Sequence, residues 1–409
     1  MLDRYEEPGC SICGASEYQV LYRGSQSTGS SLGDVTVSVA QCGACGFIYN
    51  SPRIRVDLLA QYYYTSSVAS GQVYRDESAQ GYYPRLNAER ARSLSAFLSA
   101  RQAGRLLDIG CGSGGFLDAL RGCGLDKWEL CGLDPSATAC EKARAKGYRV
   151  EQACLGDEDF PPRTFDGISL VSVLEHLPDP RAALARVRKL LKPDGIVFIE
   201  VPNVLQPDLS VSGYFSLEHI QHFTQASLAR LMRDCGWEET LSSQVQKGHA
   251  IRLVGTRRLS DWGDWHMSEF PDDADEAGRA VRHYAIQEAR FLKHINQQLR
   301  TTLDAWKRTG RTSAVYGAGI HTASMMSHID LWYYCDYLLD GDPRKQGTEF
   351  LGKKIFAPEE MLALGIDCIL VSSQRFQEEI VRRIHEIAGP DIEIVTCYNP
   401  SAQASGEQA

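Results

Sequence analysis

At 409 residues the chain has room for two to four domains of about 100–200 residues each, and 43% hydrophobic with 23% charged residues is the balance of a soluble globular protein. The formal net charge of −9, with no long basic stretch, argues against a dedicated nucleic-acid binder. No uncharged apolar run approaches the roughly 18 residues of a membrane helix, so no membrane association is expected.

The first residues, MLDRYEEPGC, are acidic and lack an apolar segment, which excludes a secretory signal. Thirteen cysteines without such a signal point to a reducing, cytoplasmic setting. Four of them form two pairs within residues 1–70, Cys10-x-x-Cys13 and Cys42-x-x-Cys45. A CxxC turn brings two thiolates to one ion at about 2.3 Å, and two such turns complete a tetrahedron. Four thiolates leave no open position, so zinc there is expected to be structural. The alternatives are four unrelated cysteines or a redox pair, for which one CxxC would suffice. The other cysteines read as small buried hydrophobes.

Residues 71–260 alternate apolar strand-like runs with helical periodicity, the pattern of a doubly wound α/β sheet. Strands are expected at 105–109, 130–133, 167–171 and 196–201. Asp179 is an N-cap followed by Pro180, and Leu184, Val187, Leu190 and Leu191 fall on one helix face. Pro193-Asp194-Gly195 is expected to stop that helix. Between the first two strands lies LLDIGCGSGGF, residues 106–116: a buried strand, a glycine turn and a helix start. Bare glycine backbone admits a ligand where a Cβ would collide, at the carboxyl end of a strand where open α/β sheets bind ligands. Asp134, with Pro135 in GLDPS, ends the next strand about 20 residues on, where a carboxylate can accept from ribose hydroxyls. Asp108 directly before the turn suits an ammonium group, whereas a dinucleotide pyrophosphate would not want that carboxylate close by. S-adenosylmethionine (SAM) is therefore preferred to NAD.

Residues 260–277 are acidic and aromatic and read as a linker. Residues 279–309 contain neither Gly nor Pro; Leu292, Ile295, Leu299, Leu303 and Trp306 recur at steps of three or four, so a long helix is expected. A second Rossmann-like α/β block follows over 313–398, opening with Gly317-Ala318-Gly319 before Thr322, with Asp340 and Asp342 about 20 residues on. A second cofactor is not favoured there, and a purely structural domain is as good a reading. Residues 401–409 read as a disordered tail.

DIGCGSGGF, GLDPS, FDGISLVSVLEHLPDP and LLKPDG resemble the class I SAM-dependent methyltransferases. The resemblance implies that Asp108, Gly110 and Gly112, with Phe116 at the helix start, surround the methionyl part, Asp134 and Pro135 the ribose, and Asp157 or the backbone near Leu155 the adenine. The order of the whole chain, namely cysteine pairs, Tyr62-Tyr63-Tyr64-Thr65-Ser66-Ser67, SAM domain, Glu218-His219 and a C-terminal nucleotide-fold block, resembles the sugar C-methyltransferases. It implies a nucleotide-linked keto-deoxysugar methylated through an enolate, with a monomer or homodimer expected. Such chemistry needs a base for the α-proton and donors for the enolate oxygen. His219 is the candidate base, with Glu218, His222, His176 and Tyr64 as further candidates; Thr224 is expected to cap the helix that follows. Ser216 stands where those enzymes have a tyrosine, and Ile320-His321-Thr322 where they have a basic residue, so O-methylation of a sugar or natural-product hydroxyl stays open. The readings from other classes are an NAD-dependent oxidoreductase using Gly317–Gly319 and a zinc-ribbon interaction module.

Overall fold

The computed structural model describes residues 4–28, 32–65, 82–207, 214–245, 248–257, 273–326, 328–373 and 376–397. Ser66, Ser67, most of the expected linker and the tail 401–409 lie outside them. The chain divides into two compact units: Met1–Arg23, Val37–Asp208 and Phe215–His283 form the first, and Gly24–Thr36, Leu209–Tyr214 and Tyr284–Ala409 the second.

A seven-stranded sheet centres the first unit. Across it the strands run Trp237–Val245, Ala250–Arg257, Leu191–Pro202, Phe165–Val171, Arg105–Ile109, Glu129–Asp134 and Arg149–Gln152. The last five of these are parallel, and Ala250–Arg257 is antiparallel to both of its neighbours. The four expected strands are present. Arg105–Ile109 keeps its bounds, and its near-continuous apolar run reflects burial on both faces: Leu106 and Leu107 are fully buried. Three strands were not expected: Ala250–Arg257 and the two edge strands. Arg149–Gln152 carries Arg, Glu and Gln, and Trp237–Val245 carries Glu and Ser, so neither shows the apolar run of a core strand.

Helices cover the faces with the predicted caps. Asp179 accepts from Ala182 N at the start of Pro180–Leu190, which buries Ala183, Leu184, Val187 and Leu190. The turn expected at Pro193–Gly195 is instead a break in register: Leu191 pairs with Phe165, and pairing resumes at Ile196 with Gly167. Proline has no amide hydrogen for the ladder, which explains the irregularity. Thr224 caps Gln225–Asp234 in a reciprocal box with Ser227.

Part of the cysteine-rich segment packs on the core of the seven-stranded sheet. Its strands Tyr18–Ser27, Asp34–Cys42 and Ile48–Asn50 make a second sheet whose edge strand is Gln221–His222, from the loop before the Thr224-capped helix. One apolar core runs from Cys10, Ile12, Cys42 and Phe47 to Leu107, Phe223 and Trp237.

The long helix is Ala274–Thr309, so the end of the expected linker is helical. Ile295, Leu299, Leu303 and Trp306 are buried and Leu292 is half-buried. In the second unit a six-stranded sheet contains parallel strands Lys353–Phe356, Tyr337–Leu339, Ser313–Tyr316, Cys368–Val371 and Glu393–Thr396, with Glu349–Phe350 antiparallel at one edge. Among the described residues no helix is long and apolar enough to cross a membrane.

Candidate active site

The turn after Arg105–Ile109 is built of glycines in left-handed conformations. Gly110, Gly112 and Gly114 have φ of 72°, 53° and 82°, and the helix Gly115–Gly122 begins directly after them. The turn is tied to the neighbouring strand by Gly110 N donating to Leu133 O at 2.7 Å. Asp134 then grips it: one carboxylate oxygen accepts from Gly112 N at 2.8 Å and the other from Ser136 N at 2.9 Å. Asp108 is buried and accepts from the Ser169 hydroxyl at 2.7 Å. Both acids therefore have backbone or side-chain partners that fix their orientation.

A Cβ on Gly110 would lie 2.5 Å from Val173 Cγ2. Gly110→Ala is therefore expected to add left-handed strain to a steric clash. A loss of about 1–2 kcal/mol in thermal unfolding and about tenfold weaker cofactor binding by calorimetry are the expected results.

Val173 leads into the second part of the site. The strand Phe165–Val171 lies beside Arg105–Ile109, with Leu170 opposite Ile109. Ser172 turns the chain at φ 54° while its amide donates to Glu200 O at 2.8 Å. A single helical turn, Leu174–His176, follows. Glu175 and His176 thus stand at the strand end next to the cofactor turn. The loop carrying Glu218 and His219 reaches them from the other side, held by Ile220 N donating to Glu175 O and Asn50 N donating to Ile220 O.

His176 Nδ1 lies 2.9 Å from Glu218 O and 2.9 Å from the Tyr63 hydroxyl. A carbonyl can only accept, so Nδ1 carries the hydrogen and Nε2 presents a lone pair. That nitrogen is 3.8 Å from the Glu175 carboxylate. The rings of His176 and His219 meet edge to face, with centroids 4.8 Å apart. A carboxylate oxygen of Glu175 and a ring nitrogen from each of His176 and His219 all lie within 4.8 Å of one another. Burial, followed by the neighbouring His176 and His222, holds His219 well below the usual imidazole range, so its ring is neutral. Burial also lowers His176.

The remaining candidates take other positions. Tyr62 donates to the Glu218 carboxylate at 2.8 Å. His222 faces away from this cluster, with Nε2 2.9 Å from Asn50 Oδ1 and its ring edge-on to Phe215. Asn50 Nδ2 donates to Ser216 O at 3.0 Å, which fixes the amide, so His222 Nε2 is the donor to Oδ1. Burial depresses His222 to about 3. Tyr64 stands in the helix Val56–Thr65, but its side chain lies outside the described residues. Phe116 is buried against Phe198, Pro135 is half-buried and Asp157 is exposed. Glu175 and Tyr63 were not singled out from sequence. The signal for Glu175 was its place beside His176 just past a buried strand; Tyr63 was one of three equivalent tyrosines.

The four paired cysteines converge. Cys10 and Cys45 sulfurs are 3.6 Å apart, Cys13 and Cys42 sulfurs 3.5 Å apart, and all four lie within 4.8 Å of one another. Zn–S bonds of about 2.3 Å require tetrahedral edges of about 3.8 Å, so the set fits a four-coordinate metal. Both knuckles close alike, with Gly14 N donating to Cys10 O and Gly46 N to Cys42 O, each glycine at positive φ. The contact with Cys45 pulls Cys10 down to about 5 while the same contact raises Cys45: so crowded a set of thiols cannot all ionise without a cation.

In the second unit, Asp340 repeats the grip of Asp134. It accepts from Ala318 N at 2.8 Å and Asp342 N at 2.9 Å. Here Lys345 also covers the carboxylate at 2.9 Å and donates to Ala318 O at 3.1 Å.

Similarity to known proteins follows this division. The sequence profile of a methyltransferase domain matches residues 81–242, and that of a C2185-like N-terminal domain matches residues 311–395. The ubiquinone biosynthesis O-methyltransferase of Neisseria meningitidis (strain Z2491) is 31% identical over 153 residues, 32% of this chain and 63% of that protein. The protein of the same description from Methylococcus capsulatus is 37% identical over 113 residues, 26% of this chain and 45% of its own length. The chain thus spans less than two thirds of the curated relatives it matches. The crystal structure of Burkholderia thailandensis 1,6-didemethyltoxoflavin-N1-methyltransferase is 22% identical, covering 54% of this chain and 96% of that one, with a TM-score of 0.40. The profile match spans the glycine turn, both carboxylates and the Glu175–His176 turn, and with them the chain carries a class I SAM-dependent methyltransferase domain.

Proposed function

We propose that the protein transfers a methyl group from SAM to a hydroxyl oxygen of a small molecule, with His219 removing the hydroxyl proton. One observation carries this reading: Val173 touches the cofactor turn at Gly110, which sets the Glu175–His176–His219 cluster on the strand end beside it. When bound, SAM supplies an electrophilic methyl; the chain must orient the acceptor and take its proton. The half-buried, neutral His219 has a lone pair available at neutral pH, and Tyr63 and His176 supply polar groups around it. Asp108 is suited to the ammonium of the donor and Asp134 to its ribose. The similarity to O-methyltransferases favours an oxygen acceptor.

A second reading, C-methylation of a nucleotide-linked keto-deoxysugar through an enolate, is favoured by the domain order, with a four-cysteine module ahead of the cofactor domain and an α/β sheet after it. In both readings the cysteines hold a structural zinc ion. Calorimetry is expected to show binding of SAM and of S-adenosylhomocysteine, and none of NAD; heat with NAD alone would overturn both readings. Incubating a candidate sugar substrate in heavy water separates them. Enzyme-dependent exchange of the proton beside the ketone is expected only of the enolate route.

A further inference from the structure

Glu175 is the least satisfied polar group at the site. It is 1% exposed, and neither carboxylate oxygen has a hydrogen-bond partner among the described residues. Leaving a buried carboxyl without partners is destabilising, so the position calls for an explanation other than stability.

Of the surrounding charges Arg90 draws it down and Glu200 pushes it up, and burial outweighs the help it receives. From the helix Tyr82–Leu98 comes Arg90, and from the strand Leu191–Pro202 comes Glu200; these are paired with each other at 2.7 Å, and Arg252 adds a second pair to Glu200 at 2.6 Å. From the loop come Glu218, whose side chain takes the Tyr62 hydroxyl, and His219. His222 is turned to Asn50, and the Tyr63 hydroxyl lies on His176. The polar atom facing the carboxylate is the lone-pair nitrogen of His176, 3.8 Å away. Burial pushes Glu175 up to about 8, so in the free protein it holds a proton at neutral pH.

We propose that Glu175 is the final acceptor of the proton that methyl transfer removes from the substrate, being ionised by arrival of the positively charged sulfonium donor and neutralised again by the reaction. This rests on the SAM reading above. Charge balance supplies the argument. In the step, the acceptor O–H bond (or α C–H bond) breaks and its proton goes to the free nitrogen of His219. A methyl–oxygen (or methyl–carbon) bond forms as the S–CH3 bond breaks, its electron pair staying on sulfur. His219 is too weakly basic to keep a proton, so the proton passes by way of His176 Nε2 to the Glu175 carboxylate. The cationic donor and the buried anion both end neutral, and no net charge is created in a water-poor site. The same logic explains why the carboxyl has no partner of its own: its counter-charge arrives with the donor.

The test needs no acceptor substrate. Binding of SAM and of S-adenosylhomocysteine is measured at pH 7 by calorimetry in buffers of different ionisation enthalpy, for wild type and Glu175→Gln. Wild type is expected to release about half to one proton more on binding SAM than Glu175→Gln does, while S-adenosylhomocysteine gives equal counts in both proteins. Equal counts with SAM would overturn the inference. If Glu175→Gln fails to bind S-adenosylhomocysteine, wild type answers alone. A group of pKa about 8 that must ionise makes SAM bind about tenfold tighter at pH 9 than at pH 7, relative to S-adenosylhomocysteine; parallel pH dependences of the two ligands would overturn it. If neither ligand binds wild type, the SAM reading itself fails, an outcome distinct from the other two.

Discussion

Cys10→Ser is expected to release the bound metal and to lower turnover far more than cofactor affinity. Serine is a poor zinc ligand, and Cys10 is one of the two fully buried members of the set. Because the site forms only in the folded chain, metal affinity is folding energy, and losing it is expected to cost about 4 kcal/mol or more. The damage has a defined route to the active site. Ser11, inside the same knuckle, donates to Gln221 at 2.7 Å, and Gln221 in turn holds Leu177 O at 3.3 Å. Arg181 holds Ile12 O and Asp234. The strand Ile48–Asn50 pairs with Gln221–His222 and places Asn50 on His222. Displacing the knuckle therefore displaces His219, whereas Asp134 and the glycine turn are held by bonds within the sheet. Elemental analysis for zinc, thermal unfolding and S-adenosylhomocysteine calorimetry on one preparation check the three parts. Retention of one zinc per chain with unchanged unfolding would remove the structural role.

The cofactor turn was legible because its constraints are local. Strand, glycines and acid are fixed by backbone conformation over a few residues, and the φ values of Gly110, Gly112 and Gly114 are what the sequence required. The cysteine pairs were legible for the same reason, and both knuckles end in a glycine at positive φ that repeats a CxxCG pattern. What sequence left open depends on distant residues meeting. His222 and His219 are three positions apart in one loop, and composition cannot separate them. Asn50, 172 positions upstream, claims His222 and leaves His219 beside His176. Likewise, which of three adjacent tyrosines faces the site depends on the phase of a short helix: Tyr62 reaches Glu218 and Tyr63 reaches His176. Glu175 was hidden because an acid after a strand is ordinarily exposed; its burial follows from the loop that covers it. The edge strand Arg149–Gln152 was missed because its residues are polar, the usual state of a sheet edge.

His219→Ala is expected to lower turnover by about 10²–10³-fold, the range for loss of a positioned base, while changing S-adenosylhomocysteine affinity by less than about twofold. The two effects separate because His219 packs on His176, whereas the turn is held by Asp134 and Leu133. Unchanged turnover would remove His219 as the base. The acid limb of the wild-type rate gives an independent check. An exposed histidine base would lose activity as pH falls through about 6.5. Burial and two neighbouring imidazoles hold His219 well below that value, so its lone pair persists on the acid side of neutrality. Protonation of His219 is therefore expected to contribute no limb near 6.5. Stability falls on the same side for a related reason. His222, neutral in the fold with a value of about 3, takes up its proton in the unfolded chain below about 6.5, so acidification through the window from 6.5 to 3 favours unfolding. Rates must accordingly be read alongside unfolding at each pH. A limb near 6.5 in protein that remains folded, absent from His219→Asn, would show that the loaded site restores ordinary basicity to His219, and the proton would then have no need to travel on to Glu175.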